Sequence, residues 1–275
     1  MRGVTLTLGL VQINGARETQ ANLDAIGRLA AEAKAQGAQL IATPEVSDRM
    51  EPDRARQSEA ARPAADHDAI PAFAALARSL AVWLLIGSVV IRRDAASGAP
   101  FANRSLLFTP EGNIAAWYDK IHMFDVEIGD GQRYRESESF EPGDRAVVAQ
   151  TPWGGLGMTI CYDLRFPHLH RSLAQAGADL IAIPAAFTET TGRAHWEALL
   201  RARAIETGAF ILAPAQCGEH AEGRRTWGRS MIVDPWGVVV GALEDRPGVL
   251  VRAIDMARVA AARAQIPAWR ADRAF

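Results

Sequence analysis

Two stretches of the chain are nearly identical, Gly37-Ala38-Gln39-Leu40-Ile41-Ala42-Thr43-Pro44 and Gly177-Ala178-Asp179-Leu180-Ile181-Ala182-Ile183-Pro184, and they lie 140 residues apart. Each consists of a glycine, a short apolar run and a proline that ends the run. Such a run is typical of a buried strand in a sheet that is covered on both faces. The pair therefore predicts an α/β fold in which one strand position occurs twice.

A second pair of stretches supports this repeat. Ser105-Leu106-Leu107-Phe108-Thr109-Pro110-Glu111-Gly112 resembles Ser230-Met231-Ile232-Val233-Asp234-Pro235-Trp236-Gly237 at an offset of 125 residues, so the spacing is not rigid. We infer two similar α-β halves that pack sheet against sheet with the helices outside. This makes residues 1–275 a single domain with a four-layer α-β-β-α sandwich. The alternative is a chance similarity between common strand and turn patterns.

The first half shows the alternation of strands and helices clearly. Apolar residues recur at helical spacing over 22–33 and 70–80, and Gly37 lies where a C-cap glycine belongs. The remaining apolar runs predict strands over 4–12, 40–42 and 83–91 and a hairpin over 106–116.

Two long stretches show no regular periodicity. Residues 46–68 are polar and rich in charged side chains, and residues 121–145 contain Gly129-Asp130-Gly131. Long loops in a compact domain often carry function, and the alternative is a solvated surface excursion.

Composition excludes several classes of protein. The chain has 275 residues, of which 49% are hydrophobic, and a formal net charge of −2. Acids and bases are interspersed, which argues against a nucleic-acid surface or a basic membrane patch. The first residues alternate like a strand and lack the apolar core of a signal peptide, and no stretch is long enough to span a membrane. With only two cysteines, Cys161 and Cys217, we expect a reduced, cytoplasmic protein without a disulfide framework.

Cys161 is the first candidate for chemistry. It ends the apolar run Leu156–Ile160 and begins the turn Tyr162–Pro167. Reacting groups of open α/β sheets collect at the carboxyl ends of strands, where a thiol can attack a carbonyl and backbone N–H groups can hold the oxyanion. The alternative is a buried structural cysteine.

Three further ionisable residues are candidates only in combination. Glu45 follows the strand at 40–42, at the position that Ala185 takes in the second half. It is either a solvated charge or a base that points into a cleft. Lys120 follows the predicted hairpin, and Glu136 lies in the second irregular stretch with Glu138 as a rival. Taken singly, each is an ordinary surface residue.

Together these residues give the chain a resemblance to the nitrilase superfamily of carbon–nitrogen hydrolases. The segments that carry it are Thr43-Pro44-Glu45, Asp119-Lys120-Ile121-His122 and Ile160-Cys161-Tyr162-Asp163-Leu164-Arg165-Phe166-Pro167, in matching order and spacing. The resemblance extends over nearly the whole chain. It implies an α-β-β-α sandwich, assembly into a homodimer or a higher homo-oligomer, and a Glu-Lys-Cys triad.

The resemblance also implies a role for each catalytic candidate. Glu45 is the general base, Cys161 the nucleophile, and Lys120 with the N–H of Tyr162 holds the oxyanion. An amide is then hydrolysed through a thioester to a carboxylate and ammonia. Glu136 is expected to orient Lys120 and the substrate. Such interacting groups titrate as a unit.

Several later segments resemble one branch of the superfamily, which contains deaminated-glutathione amidase and omega-amidase. Those most similar to the deaminated-glutathione enzymes are Asp125-Val126-Glu127-Ile128 and Ala215-Gln216-Cys217-Gly218. Arg229 departs from the branch, which usually has histidine before Ser230. The expected substrate is a small anionic keto-acid amide, with omega-amidase, N-carbamoyl amino-acid hydrolase or aliphatic amidase activity as alternatives. A catalytically silent binding protein on the same fold is the alternative from another class.

An anionic substrate requires cations and donors in its pocket. Arg165 is expected to bind a carboxylate in a bidentate manner, unless it forms an ion pair with Asp163 or Glu127. The remaining candidate substrate-binding residues are His122, Glu127, Phe187 and Thr191. His195 and Trp196 are expected to be packing residues, and Cys217 a buried core thiol.

No metal or cofactor is predicted. The six histidines are scattered and none has the spacing of a zinc site. Gly154-Gly155-Leu156-Gly157 precedes a strand, whereas a phosphate-binding glycine loop precedes a helix. The expected partners are therefore a small amide, water and further copies of the chain, without nucleic acid or membrane.

Overall fold

The computed structural model describes residues 4–93, 101–128 and 133–274. In chain order its strands are β1 Thr5–Gln12, β2 Leu40–Ala42, β3 Trp83–Arg92, β4 Phe101–Phe108, β5 Ile114–Asp119, β6 Asp125–Glu127, β7 Arg133–Arg135, β8 Val147–Thr151, β9 Gly154–Met158, β10 Ala178–Ala182, β11 Phe210–Ala213, β12 Cys217–Glu219, β13 Arg225–Trp227, β14 Met231–Val233, β15 Val239–Ala242 and β16 Gly248–Asp255. Its helices are α1 Thr19–Ala35, α2 Arg54–Ala60, α3 Ala69–Leu80, α4 Pro167–Gln175, α5 Glu189–Thr207 and α6 Ala257–Gln265.

Two six-stranded sheets have the same internal arrangement. The first has the order β16-β1-β2-β3-β4-β5 and the second β8-β9-β10-β11-β14-β15. In each, three parallel strands are flanked by antiparallel ones. The inferred repeat is therefore confirmed, and only β16 leaves its own half, to pair with β1.

The four layers follow from the alternation of side chains along the strands. Leu8 and Leu10 of β1 share one buried apolar cluster with Leu156 and Met158 of β9, which joins the two sheets. Val11, on the other face of β1, belongs to a second cluster that includes residues of α1 and α3. Residues of α4 and α5 pack against the second sheet. This is the α-β-β-α sandwich that the sequence predicts.

The two sheets are in close contact beside the carboxyl ends of β2 and β10. A Cβ atom on Gly87 of β3 would lie 2.0 Å from the carbonyl oxygen of Thr43 and 2.3 Å from Cβ of Pro184. Only glycine fits this contact without displacing backbone. It brings together the segments that follow the two nearly identical stretches.

The predicted strands of the first half and its two helices are confirmed with small shifts of their ends, and the β4–β5 hairpin is confirmed but begins five residues before the predicted 106. Gly37 follows α1 with φ of 91°. The irregular stretches contain more structure than their patterns indicate. Asp53 caps α2 by accepting a hydrogen bond from the N–H of Arg56, and β6 and β7 form a short hairpin. Gly129-Asp130-Gly131 lies outside the described residues. No helix in the described part of the chain is both long and apolar enough to cross a membrane.

Candidate active site

Glu45 is fixed by groups from both halves of the molecule. Its Oε1 accepts hydrogen bonds from Asn103 Nδ2 at 2.9 Å and from Lys120 Nζ at 3.0 Å. Its Oε2 accepts one from the N–H of Ala186 at 2.9 Å, and its carbonyl accepts one from Gln216 at 2.9 Å. The side chain is buried. Glu45 is thus a desolvated carboxylate in a fixed orientation, unlike a solvated charge at a strand end.

The ammonium of Lys120 lies between two carboxylates. It donates to Glu45 at 3.0 Å and to both oxygens of Glu136 at 2.9 Å, and the lysine is only 2% exposed. Glu136 also accepts a hydrogen bond from the N–H of Phe124 at 2.6 Å. Glu138, its rival, is an exposed residue 3.7 Å from Arg54. The structure therefore groups Glu45, Lys120 and Glu136 and leaves Glu138 outside.

Cys161 has the unusual backbone conformation expected of a sharp turn after a strand. Its φ is 50°, a left-handed value that is costly for a residue with a side chain and is typical of functional sites. Two hydrogen bonds hold the turn: the N–H of Cys161 donates to Pro184 O at 2.8 Å, and Asp163 accepts one from the N–H of Ile160 at 2.9 Å. The turn continues as a 3₁₀ helix over Cys161–Arg165.

The electrostatics of the cluster set the protonation state of each group. Burial, together with the neighbouring Glu45 carboxylate, raises the pKa of Cys161 well above its usual range. Burial alone would raise the pKa of Glu45, but the Lys120 ammonium, the hydrogen bond with Cys161 and the charge of Arg224 together outweigh burial and lower the pKa. The pKa of Lys120 is raised, despite its burial, by Glu136 and Glu45. The resting site thus holds a thiol beside an ionised carboxylate and an ammonium.

Glu136 behaves differently from Glu45. Its pKa is raised, because burial and the negative charge of Glu45 together outweigh the attraction of Lys120. Two carboxylates that share one ammonium thus have their pKa values moved in opposite directions.

The cluster opens into a cavity of about 310 Å³. The cavity wall carries predicted residues Tyr162, Arg165, Phe187 and Thr191 together with Cys161. Six arginines also line it: Arg49, Arg54, Arg133, Arg135, Arg165 and Arg224. Such a wall favours an anionic ligand.

The alternative role of Arg165 as an ion-pair partner of Asp163 or Glu127 is wrong. Its Nη1 lies 3.3 Å from Nδ1 of His195, and its guanidinium lies over the rings of Phe187 and Tyr162 at 5.2 and 5.8 Å. The half-buried guanidinium has a lowered pKa because of desolvation.

Two predicted substrate-binding residues do not line the cavity. His122 bonds through Nδ1 to Asp163 at 2.7 Å and stacks on Phe166 at 3.5 Å, so its ring is held behind the turn that carries Cys161. Glu127 is exposed and pairs with Arg133 at 3.3 Å and Arg135 at 3.2 Å. As cavity residues, both predictions are wrong, because each side chain has its partners elsewhere.

Of the other expectations for individual side chains, those for Trp196 and Cys217 agree with the structure and that for His195 does not. Trp196 is buried and donates from Nε1 to Arg229 O at 2.9 Å, as a packing residue does, whereas His195 is exposed and packs little. Cys217 is a buried free thiol, as predicted. Arg229 has φ of 58° and lies over the ring of Trp227 at 4.8 Å, away from the cavity.

Sequence reasoning missed Asn103, the N–H of Ala186 and Arg224. Asn103 left a weak signal, since an amide that follows the apolar pair Phe101-Ala102 in a buried strand requires a partner. The other two left none. Among the described residues, no group of three or more His, Cys, Asp or Glu side chains is arranged to hold a metal ion.

Comparison with known proteins identifies the family of the chain. The model of the carbon-nitrogen hydrolase family matches residues 7–264. A deaminated glutathione amidase from Yersinia enterocolitica is 49% identical over 200 residues, covering 72% of this chain and 69% of that protein. A deaminated glutathione amidase from Mus musculus is 37% identical over 268 residues, covering 97% and 83%.

A solved structure gives the same result for the fold. The crystal structure of the C. elegans NitFhit protein superposes with a TM-score of 0.90 at 33% identity, covering 99% of this chain and 66% of that one. The fold, the family model and these relatives agree with the resemblance seen in the sequence. The chain belongs to the carbon-nitrogen hydrolase family, within the nitrilase superfamily.

Proposed function

We propose that this protein is a thiol amidase that hydrolyses a small anionic keto-acid amide, with deaminated glutathione as the substrate. One observation carries the proposal: a buried Glu45–Lys120–Glu136 cluster and Cys161 lie together at a cavity that six arginines line. The relatives named deaminated glutathione amidase support this choice of substrate.

The first half of the reaction uses the proton arrangement of the resting site. Glu45 takes the thiol proton as the sulfur of Cys161 attacks the amide carbon. The carbonyl oxygen becomes an oxyanion, which Lys120 Nζ and the N–H of Tyr162 stabilise. Each donor of this kind contributes about 3–4 kcal/mol to lowering the barrier. When the tetrahedral intermediate collapses, the C–N bond breaks and Glu45 donates its proton to the leaving nitrogen.

The second half returns the enzyme to its starting state. Glu45 removes a proton from a water molecule that attacks the thioester. The C–S bond breaks, the carboxylic acid product leaves, and the thiolate of Cys161 recovers the proton. Glu136 holds Lys120 in place throughout, since both of its oxygens accept from the ammonium.

The identity of the leaving nitrogen depends on the substrate. In deaminated glutathione the amide nitrogen belongs to the cysteine residue, so the amine that leaves is cysteinylglycine. Ammonia, the product expected from the sequence, leaves only from a primary amide such as α-ketoglutaramate. Arg165, Phe187 and Thr191 line the cavity, which supports their assignment to the acyl part that both compounds share.

The experiment compares deaminated glutathione with α-ketoglutaramate, with α-ketoglutarate formation as the common readout and Cys161→Ala as the control. Faster turnover of deaminated glutathione supports the proposal. Preference for α-ketoglutaramate keeps the chemistry and makes the protein an omega-amidase. Failure to cleave either compound contradicts the proposal and directs attention to carbamoyl and simple amide substrates.

We also propose that the chain acts as one domain, in the cytoplasm, and as a homodimer. Exposed apolar side chains support self-association: Ile205, Trp236 and Val238 are 55%, 51% and 52% exposed. Ile205 lies beside Gly237, which is the residue between Trp236 and Val238 in the chain. Exposed apolar groups that lie together often mark an interface. Light scattering after gel filtration tests the assembly state.

A further inference from the structure

The arginines of the cavity wall fall into two groups. Arg54 lies 3.7 Å from Glu138, and Arg133 and Arg135 share Glu127. The other three have no carboxylate partner among the residues that the structure describes: Arg49, Arg165 and Arg224. Arg49 donates to the hydroxyl of Thr19 at 3.1 Å, and Thr19 does not line this cavity. An arginine without an acidic partner is available to bind a ligand carboxylate.

Arg224 lies beside the catalytic base. It follows the left-handed residues Glu222 and Gly223 at the tip of the β12–β13 hairpin. Its Nη2 donates to Ala186 O at 3.3 Å, and the N–H of Ala186 donates to Glu45 Oε2 at 2.9 Å. Its Nε has no hydrogen-bond acceptor in the described part of the chain. Its positive charge also helps to keep the pKa of Glu45 low.

Arg165 lies beside the nucleophile. It is four residues after Cys161 and lies over the rings of Tyr162 and Phe187. The two arginines are thus associated with different halves of a bound amide. The acyl half becomes attached to the sulfur of Cys161, whereas the leaving nitrogen receives its proton from Glu45.

We propose that Arg224 binds a carboxylate carried by the leaving amine, so that the site selects amides whose amine half is an anionic amino acid or peptide. This inference rests on the proposed amidase function and assigns a separate carboxylate site to each half of the substrate. A planar guanidinium with free N–H groups suits a carboxylate in bidentate geometry. In deaminated glutathione the group bound is the glycine carboxylate.

The test combines one variant with one substrate change. For Arg224→Gln, we expect kcat/KM for deaminated glutathione to fall about 10- to 100-fold, mainly through KM, since a hydrogen-bonded charge pair is lost. The value for α-ketoglutaramate, which has no carboxylate on its leaving nitrogen, stays within about threefold. Arg224→Lys keeps the charge and recovers part of the loss. All rates are taken on the pH plateau, because the charge of Arg224 also acts on Glu45.

The substrate change requires no variant to fold. For the wild-type enzyme, converting the glycine carboxylate of deaminated glutathione to a carboxamide should lower kcat/KM by the same factor as Arg224→Gln does. For Arg224→Gln, the carboxamide and deaminated glutathione should have equal kcat/KM, because the two changes remove one interaction. Arg225→Gln is the matched control, since Arg225 lies next to Arg224 on the same hairpin but is paired with Glu189 and Glu219 outside the cavity lining.

Each contrary outcome has a distinct meaning. Equal loss on both substrates places Arg224 with the acyl half or with Glu45 and overturns the assignment. A selective loss in Arg49→Gln, with Arg224→Gln unaffected, assigns the carboxylate to Arg49 and overturns it too. If the wild-type enzyme cleaves α-ketoglutaramate and has the same kcat/KM for deaminated glutathione and its carboxamide, it has no such carboxylate site. A wild-type enzyme that cleaves neither compound contradicts the proposed function itself.

Discussion

The two halves have the same scaffold but different residues at equivalent positions. Leu10 pairs with Ala42 in the first sheet, and Met158 pairs with Ala182 in the second. Three residues beyond these pairs the first half has Ile13 and Glu45, and the second half has Cys161 and Ala185. The proposed base and nucleophile therefore occupy strand ends that are not equivalent, and the other two ends carry apolar residues. A repeated scaffold thus produces one site, to which each half gives one reacting group.

The largest expected effect comes from the strand end of the second half. Cys161→Ala removes the proposed nucleophile, so kcat should fall by at least about 10⁴-fold while the protein stays folded. Product formation and thermal unfolding measure the two parts of this prediction. Cys217→Ala is the control, because Cys217 is buried in the β12–β13 hairpin away from the cavity lining. Comparable losses in both variants would show that Cys161 acts through stability.

The strand end of the first half is tested by Glu45→Gln. The amide keeps the shape of the carboxylate but cannot accept the thiol proton, so kcat should fall by about 10³-fold. Labelling of Cys161 by iodoacetamide near neutral pH should be retained, because the Glu45 carboxylate raises the pKa of the thiol and its removal leaves Lys120 to favour the thiolate. A variant that loses both hydrolysis and labelling would show that Glu45 keeps Cys161 reactive by another route than proton transfer. Full activity in this variant would show that Glu45 is not the base.

The junction of the halves is tested at Gly87. A side chain there meets the backbone of Thr43 and the ring of Pro184, so Gly87→Ala should lower the free energy of unfolding by about 3 kcal/mol. Gly27→Ala in α1 is the control, because nothing lies within 4 Å of its added Cβ. That substitution should stabilise the protein by about 1 kcal/mol through helix propensity. Urea unfolding gives both values, and equal stabilities would contradict the close approach of the sheets.

The sequence predicts the scaffold and its strand ends well, because both depend on local patterns. An apolar run between glycine and proline marks a buried strand wherever it occurs, and the residue after it lies at the sheet edge. Side chains in loops are less predictable. His122 follows Lys120 closely, yet it turns toward Asp163 rather than the cavity. Arg224 reaches Ala186 only because distant segments meet in the fold. No spacing along the chain encodes either contact.

The helix in the first irregular stretch was missed for a related reason. Residues 54–60 contain no buried side chain, so no apolar periodicity marks α2. Its start is set instead by Asp53, which accepts a hydrogen bond from the N–H of Arg56 at 2.8 Å. A cap of this kind is readable from sequence only when a periodic run follows it.

The smallest expected effect concerns Glu136, the second carboxylate that binds Lys120, which the proposed mechanism does not use as a base. Glu136→Gln removes a negative charge near Glu45 and leaves Lys120 to interact with Glu45 alone, so the pKa of Glu45 should fall further. Activity requires ionised Glu45 and is lost as the pH falls through its pKa. The acid limb of the kcat/KM profile should therefore move to lower pH, while the plateau falls by about tenfold because Lys120 is less well oriented. The control is Glu138→Gln, which removes an exposed carboxylate two residues away and should leave the limb unchanged. A limb that moves to higher pH would contradict the repulsion between Glu136 and Glu45. Loss of activity at every pH would mean that Glu136 is itself the base, and the roles of the two halves would then have to be revised.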